Sequence, residues 1–235
     1  MLNKQMILFD MDGTLLPMDI DEFTEGYFKL LLKKFVPMGY DKDLLVKAVW
    51  AGTHEMYNNN GVRPNVDRFW DEFSYVMGKD MLEEKPIFDC FYENEFDGVK
   101  DFCGYNPEVR ELVEKVRAAG FRTAVATNPI FPLVAMRKRL EWAGLDPDGF
   151  ELITAYENSR YCKPNPAYFA DTAARLGVDP EWCLMVGNDA TEDLACDKIG
   201  MDVFILTDHL LNRDNVDISE FPHGNLKDLE KYIFD

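Results

Sequence analysis

The first residues that could do chemistry are two carboxylates, Asp10 and Asp12, which directly follow the apolar residues 6–9. Two acids held this close repel each other unless a proton or a cation accompanies them. A hard divalent cation such as Mg2+ takes oxygen ligands of this kind. Gly13 lets the chain bend, so that both side chains can face the crevice beyond a strand end. The segment therefore predicts a magnesium or acid/base site, with a helix N-cap or an ordinary acidic turn as the alternative.

Polar side chains also follow two other short apolar runs. Residues 123–126 lead into Thr127 and Asn128, and residues 183–186 lead through Gly187 into a polar loop. In a parallel sheet the carboxyl ends of the strands meet at one edge, where such folds bind ligands. We therefore expect these polar groups to lie near the two acids. The polar loop contains Asn188, Asp189 and Asp193.

A candidate cation, Lys163, stands in the segment CKPNP. A lone lysine is normally a solvated surface residue. Here Pro164 and Pro166 restrict the backbone that leads into the next helix, so the ammonium group can be aimed at one place. This context favours a functional lysine.

The pattern along the chain predicts an α/β fold, a doubly wound parallel sheet covered by helices. Runs that are apolar on both faces are typical of buried parallel strands, and from about residue 105 they alternate with helical segments. Asn106 and Pro107 are a good helix start, and Gly120 ends that helix. The predicted strands are 6–9, 123–126, 151–154, 183–186 and 203–206, and the other predicted helices of this part are 132–144, 166–176, 191–199 and 226–233.

One interval breaks this alternation. Asp10 and Thr127 are separated by more than 100 residues, whereas a simple βαβ unit needs about 30. The interval contains four amphipathic helical patterns. We therefore predict a core domain of residues 1–16 and 101–235 with a helical cap domain, residues 17–100, inserted as a lid. The four predicted helices are 21–36, 41–51, 66–77 and 81–94.

Composition narrows the class of protein. The 235 residues carry a formal net charge of −18, which opposes binding to nucleic acid or anionic lipid. No apolar run approaches the roughly 20 residues of a membrane span, and the N-terminus does not resemble a signal peptide. Five cysteines without CxxC spacing suit a reducing compartment. We expect a cytoplasmic protein, monomeric or homodimeric, that acts on neither nucleic acid nor membranes.

The four motifs DMDGT, TN, KPNP and VGND occur in an order that resembles the haloacid dehalogenase (HAD)-like hydrolase superfamily, in its phosphatase type with a helical cap after the first motif. The resemblance implies a Rossmann-like core, a bound Mg2+ and an aspartyl-phosphate intermediate. It makes Asp10 the nucleophile and Asp12 the general acid/base. It also implies that Thr127, Asn128 and Lys163 bind the phosphoryl group.

The fourth motif departs from the family pattern, in which an acid directly follows the glycine. Here Asn188 follows Gly187, and the acid comes one position later at Asp189. An ionised carboxylate offsets divalent charge better than an amide, so Asp189 is the predicted ligand of this loop. The resemblance implies that Asp10 and the backbone carbonyl of Asp12 complete the protein ligands of the metal. Asn188 is retained as an alternative ligand or a supporting donor. Asp193 is expected to support a metal-bound water or to hold Lys163, and Glu192 and Asp197 are expected to be solvated helix acids.

These residues together predict a Mg2+-dependent phosphatase that hydrolyses a small phosphomonoester, such as a sugar phosphate, a nucleotide or phosphoglycolate. A sugar phosphomutase would use the same motifs. A haloacid dehalogenase needs neither Asp12 nor a metal, and a non-catalytic binding protein would not need to retain nucleophile and lysine together. Within the cap, the side chains that could touch a leaving group are His54, Tyr57 and Arg63.

Overall fold

The computed structural model describes residues 2–235. Its centre is a five-stranded, fully parallel sheet in the order β2-β1-β3-β4-β5. Because β1 lies between β2 and β3, the ends of three strands with polar residues meet at one edge. The strands are β1 (Met6–Phe9), β2 (Arg122–Val125), β3 (Cys183–Gly187), β4 (Asp202–Leu206) and β5 (His223–Gly224).

Both faces of the sheet are covered, which confirms the doubly wound α/β fold. Alternate side chains of a strand point to opposite faces. Accordingly, Ile7 and Phe9 join one apolar cluster, and Met6 and Leu8 join another. The first cluster includes residues of helices α5 (Pro107–Ala118) and α8 (Leu226–Phe234), and the second includes residues of α7 (Pro166–Leu176).

The helix starts follow local chemistry. The side chain of Asn106 accepts the N–H of Glu108 at the start of α5, and Asn165 does the same for Ala167 at the start of α7. Proline occupies the first position of both helices, where its missing N–H leaves no hydrogen bond unmade. The remaining helices are α1 (Ile20–Phe35), α2 (Lys42–Tyr57), α3 (Asn65–Met77), α4 (Lys85–Asn94) and α6 (Leu133–Trp142).

Two elements of the structure differ from those predicted from the sequence. Residues 151–154 pair with β2 less fully than predicted: Glu151, Leu152 and Thr154 share backbone hydrogen bonds with β2, but only Ile153 forms a β-bridge. The side chain of Asn158 accepts the N–H of Ala155 and donates to the carbonyl of Ile153, so a local turn ends the pairing. Residues 191–199 are not an α-helix but contain the 3-10 helix Leu194–Ile199.

Two carboxylates hold the turn just before the 3-10 segment. The Asp189 carboxylate accepts the N–H groups of Thr191 and Glu192, and the Asp193 carboxylate accepts the N–H of Asp189. The bonds to Asp189 cap this turn in the way that Asn106 and Asn165 cap α5 and α7. The short strand β5 is an element that the sequence patterns did not predict.

Helices α1–α4 all lie between β1 and β2 in the chain. We call residues 17–100 the helical insertion; their status as a separate cap domain, and its boundaries, remain a proposal. An aromatic cluster ties the insertion to the rest of the chain, and Phe23 and Tyr27 of α1 contact Phe131 edge-to-face. Within residues 2–235, no helix is both long and apolar enough to span a bilayer.

Candidate active site

The centre of the site is a buried lysine between two carboxylates. Lys163 Nζ lies 2.8 Å from Asp10 Oδ1 and 2.6 Å from Asp193 Oδ1, and Lys163 is only 1% exposed. Burial opposes the charge of the ammonium group, but the two carboxylates hold the pKa of Lys163 well above its ordinary value. The lysine is therefore a fixed cation beside the carboxylate that directly follows β1.

A second buried cation contacts Asp12. Arg139 of α6 is 1% exposed and forms an ion pair through Nη2 with Asp12 Oδ1. Its guanidinium group lies 4.8 Å from the ring centroid of Phe23 and 5.4 Å from that of Phe131. Burial lowers the pKa of Arg139 to about 9, against the opposing effect of Asp10, so it remains charged at neutral pH. Arg139 thus holds the Asp12 carboxylate in place from α6.

Thr127 is held by its backbone. Its N–H donates to Thr154 Oγ1 at 3.0 Å, and its carbonyl accepts the hydroxyls of Thr154 and Tyr168, each at 2.8 Å. These bonds leave the Thr127 hydroxyl available at the end of β2. The next residue, Asn128, accepts the N–H of Lys163 at 2.9 Å and donates to Glu192 Oε2 at 2.6 Å. Asn128 therefore links the segment of Lys163 to Glu192 in the loop after β3.

The loop after β3 brings both candidate ligands to the site. Asn188 is buried, donates to the carbonyl of His209 at 2.7 Å and accepts from Thr14 Oγ1 at 3.3 Å. The N–H bonds to the Asp189 carboxylate end on Oδ1, which leaves Oδ2 for another partner. Gly13, with a φ of +73°, packs so closely on Asn188 that a side chain there would overlap the amide.

The acidic side chains of the site could bind magnesium only if other oxygen ligands completed its coordination. Among residues 2–235, no three His, Cys, Asp or Glu side chains converge as a metal cluster. Magnesium typically keeps several waters and takes one or two carboxylates together with substrate phosphate. One carboxylate oxygen of Asp10, the Asp12 carbonyl and an oxygen of Asp189 or Asn188 match that requirement.

A cavity of about 310 Å³ opens onto these groups. Its polar end lies at the strand ends, and its other end is lined by apolar side chains of the helical insertion. At the polar end the acids outnumber the nearby cations Lys163, Arg139 and Arg213, so a dianionic phosphate would be repelled without a further cation. The polar end is lined by Asp10, Asp12, Thr127, Asn128, Asn188, Asp189, Glu192, Asp193 and Arg213.

The structure corrects one expectation and adds a residue. Glu192 is not solvated: it lines the cavity, and burial raises its pKa to about 8. Arg139 was not recognised in the sequence. The spacing within α6 could have identified it. Arg139 follows the buried residues Ala135 and Met136 by four and three positions, so the three lie on the same face of the helix. Asp197 is exposed, as expected.

The three candidates from the helical insertion differ in position. Tyr57 lines the cavity, and desolvation together with the nearby charge of Glu192 raises its pKa. His54 is exposed and outside the cavity lining. Arg63 is exposed and pairs with Asp67 and Asp71 of α3, so only Tyr57 faces the site.

The family model for haloacid dehalogenase-like hydrolases matches residues 4–196. The chain therefore belongs to this family and is a hydrolase, which confirms the resemblance read from the motifs. It is 28% identical to a phosphoglycolate phosphatase of Aquifex aeolicus over 83% of this chain and 80% of that one.

Solved structures share the fold at low sequence identity. One is a 2-haloacid dehalogenase from Pseudomonas syringae, with a TM-score of 0.65, 20% identity and 98% of each chain covered. Another is a HAD family enzyme from Bacteroides thetaiotaomicron in complex with magnesium and inorganic phosphate, with a TM-score of 0.55 and 14% identity, covering 90% of this chain and 98% of that one. At these identities the likeness concerns the fold.

Proposed function

We propose that this hydrolase is a Mg2+-dependent phosphatase that cleaves a small phosphomonoester through an aspartyl-phosphate on Asp10. The observation that carries the proposal is the charged, buried Lys163 that contacts Asp10 at the polar end of the cavity. A cation in this position stabilises an ionised nucleophile and the oxygens of an incoming phosphoryl group. The phosphatase name of the Aquifex relative supports the same activity.

In the proposed reaction, a carboxylate oxygen of Asp10 attacks phosphorus and the bond from phosphorus to the leaving oxygen breaks. The reactive enzyme carries a proton on Asp12, which in that state is not the carboxylate partner of Arg139. Asp12 gives this proton to that oxygen and then takes a proton from the water that cleaves the aspartyl-phosphate. Lys163 and the Thr127 hydroxyl stabilise the phosphoryl oxygens in both steps. Asp193 acts on Lys163, holding its ammonium group in place.

Asp10, the Asp12 carbonyl and Asp189 are the proposed holders of Mg2+, with Asn188 beside them. When bound, the ion would offset the negative charge of the polar end and of the phosphate group. Lys163, which is already paired with two carboxylates, supplies only part of that compensation. This charge balance supports the proposed magnesium dependence.

Removing divalent cations should reversibly stop the reaction. We expect chelator-treated protein to release inorganic phosphate from para-nitrophenyl phosphate at least about 100-fold more slowly, because metal charge stabilises the transition state by several kcal/mol. Added Mg2+ should restore the rate. Full activity in excess chelator would contradict the magnesium proposal, and no activity on any phosphate ester with Mg2+ present would contradict the phosphatase proposal.

The two candidate ligands in the loop can be separated by paired variants. We expect Asp189→Asn to raise the Mg2+ concentration that gives half-maximal activity by about tenfold or more, since an amide offsets divalent charge poorly. The variant keeps Oδ1 and thus the bonds to Thr191 and Glu192. Asn188→Ala, titrated in parallel, should shift that concentration less. A larger shift for Asn188→Ala would assign the metal contact to the amide instead.

A further inference from the structure

The side of the cavity that the helical insertion forms, called the wall below, lacks charged side chains. None of the described insertion residues that line it is an Asp, Glu, Lys, Arg or His. The wall is built largely from aromatic and aliphatic side chains, many of them buried. Among them are Phe23, Leu31, Val49, Trp70, Phe73 and Phe88, all less than a tenth exposed.

Four hydroxyl groups of this wall are already engaged. The hydroxyls of Tyr27 and Tyr92 bond to each other at 2.8 Å. Thr24 and Thr53 donate their hydroxyls to the backbone carbonyls four residues earlier, at 2.7 and 2.9 Å. Trp70 differs, because its buried Nε1 has no acceptor among residues 2–235. This end of the cavity therefore offers the buried N–H of Trp70, together with the more exposed Trp50 indole and Tyr57 hydroxyl, on an otherwise apolar surface.

A charged or polyhydroxylated leaving group would be poorly accommodated there. Moving a hydroxyl from water to apolar surroundings without a hydrogen-bond partner is unfavourable, and moving an unpaired carboxylate is more so. Burying apolar surface in the same place is favourable. The volume, about 310 Å³, also exceeds what a two-carbon acid fills, since cavities of roughly 300–1,000 Å³ hold drug-sized ligands.

We propose that the physiological substrate is a phosphomonoester of an uncharged, largely apolar alcohol, with room for an aromatic ring and one acceptor for Trp70 Nε1. The proposal rests on the phosphatase function above. It distinguishes this chain from enzymes for phosphoglycolate or for sugar phosphates, whose leaving groups carry a carboxylate or several hydroxyls. The phosphate group would sit at the polar end beside Asp10, and the alcohol would extend between α1, α2 and α3.

The test compares three esters of primary alcohols: phenylethyl phosphate, phosphoglycolate and a glucose phosphate esterified at its primary hydroxyl. We expect kcat/KM for phenylethyl phosphate to exceed the other two by about 100-fold or more, as unpaired buried polar groups discriminate strongly. Equal or higher kcat/KM for phosphoglycolate or glucose phosphate would overturn the substrate proposal and leave the phosphatase function intact. If none of the three esters were hydrolysed with Mg2+ present, the result would instead count against the phosphatase function.

A matched pair of variants tests the wall itself. Thr53→Arg places a cation at the apolar end, on a partly exposed turn of α2 that tolerates a long side chain. Its kcat/KM ratio should shift toward phosphoglycolate by about tenfold or more, because the carboxylate gains a charged partner. Asn58→Arg adds the same charge on an exposed position after α2, outside the cavity lining, and should leave the ratio unchanged. A ratio that Thr53→Arg does not move, or that both variants move equally, would overturn the assignment of this wall to the leaving group.

Discussion

Replacing Asp10 by asparagine is expected to lower kcat for phosphate-ester hydrolysis by about 10,000-fold or more, the scale seen when a catalytic nucleophile is removed. An amide cannot form the aspartyl-phosphate on which the proposed reaction depends. The change is nearly isosteric, and Lys163 keeps its contact with Asp193 at 2.6 Å. The variant should therefore fold, and its loss of rate reports on chemistry.

The measurement is phosphate release under saturating Mg2+, with thermal unfolding recorded beside it. The control is Asp197→Asn, which makes the same change on an exposed position of the 3-10 helix after β3. That control should retain the native rate. If a folded Asp10→Asn variant kept a rate within about tenfold of the native protein, covalent catalysis by Asp10 would have to be abandoned.

Replacing Lys163 by methionine should reduce both activity and stability. Methionine has a similar length but no charge, so Asp10 and Asp193 would face each other in a buried site without their shared cation. Breaking a buried ion pair by removing one partner typically destabilises a protein by about 3–5 kcal/mol. We expect a loss of that size in the free energy of unfolding, and a fall in kcat of about 100-fold or more from lost charge stabilisation of the phosphoryl group.

Urea unfolding and phosphate release measure the two effects separately. Lys85→Met provides the comparison, because Lys85 and Asp89 form a partly exposed pair along α4 at 2.7 Å, and such pairs contribute only about 0.3–0.5 kcal/mol. A Lys163→Met variant as stable as Lys85→Met would show that the buried carboxylates do not need the lysine. Undiminished kcat in a folded variant would remove Lys163 from the proposed mechanism.

The strand ends were predictable because each of them is marked by a local pattern. Asp10, Thr127 and Asn188 follow short apolar runs, and parallel strands bring such positions to one edge. The same reasoning located residues 151–154 beside β2 but overestimated them as a strand, because only Ile153 forms a β-bridge. It also missed β5, whose two residues are too few to show a period.

Arg139 was harder to predict for a physical reason. It is the last of three consecutive basic residues, Arg137, Lys138 and Arg139, and such runs are usually solvated. The spacing from Ala135 and Met136 favours Arg139 over its two neighbours, but its burial as a charged group depends on the tertiary contacts with Asp12 and with the rings of Phe23 and Phe131. Glu192 was missed similarly, because the bond to Asn128 depends on a partner 64 positions away in the chain.

The aromatic wall of the cavity has an evolutionary consequence, because the same side chains also form the main apolar core. Phe23, Phe73 and Phe88 line the cavity and belong to the large cluster that continues to the sheet. Truncating a buried phenylalanine removes about 3–5 kcal/mol, a large share of a net stability of roughly 5–15 kcal/mol. Descendants with new substrates should therefore arise first through changes at Trp50 and Tyr57, the two exposed insertion residues that line the cavity, while the inner wall stays under selection for folding.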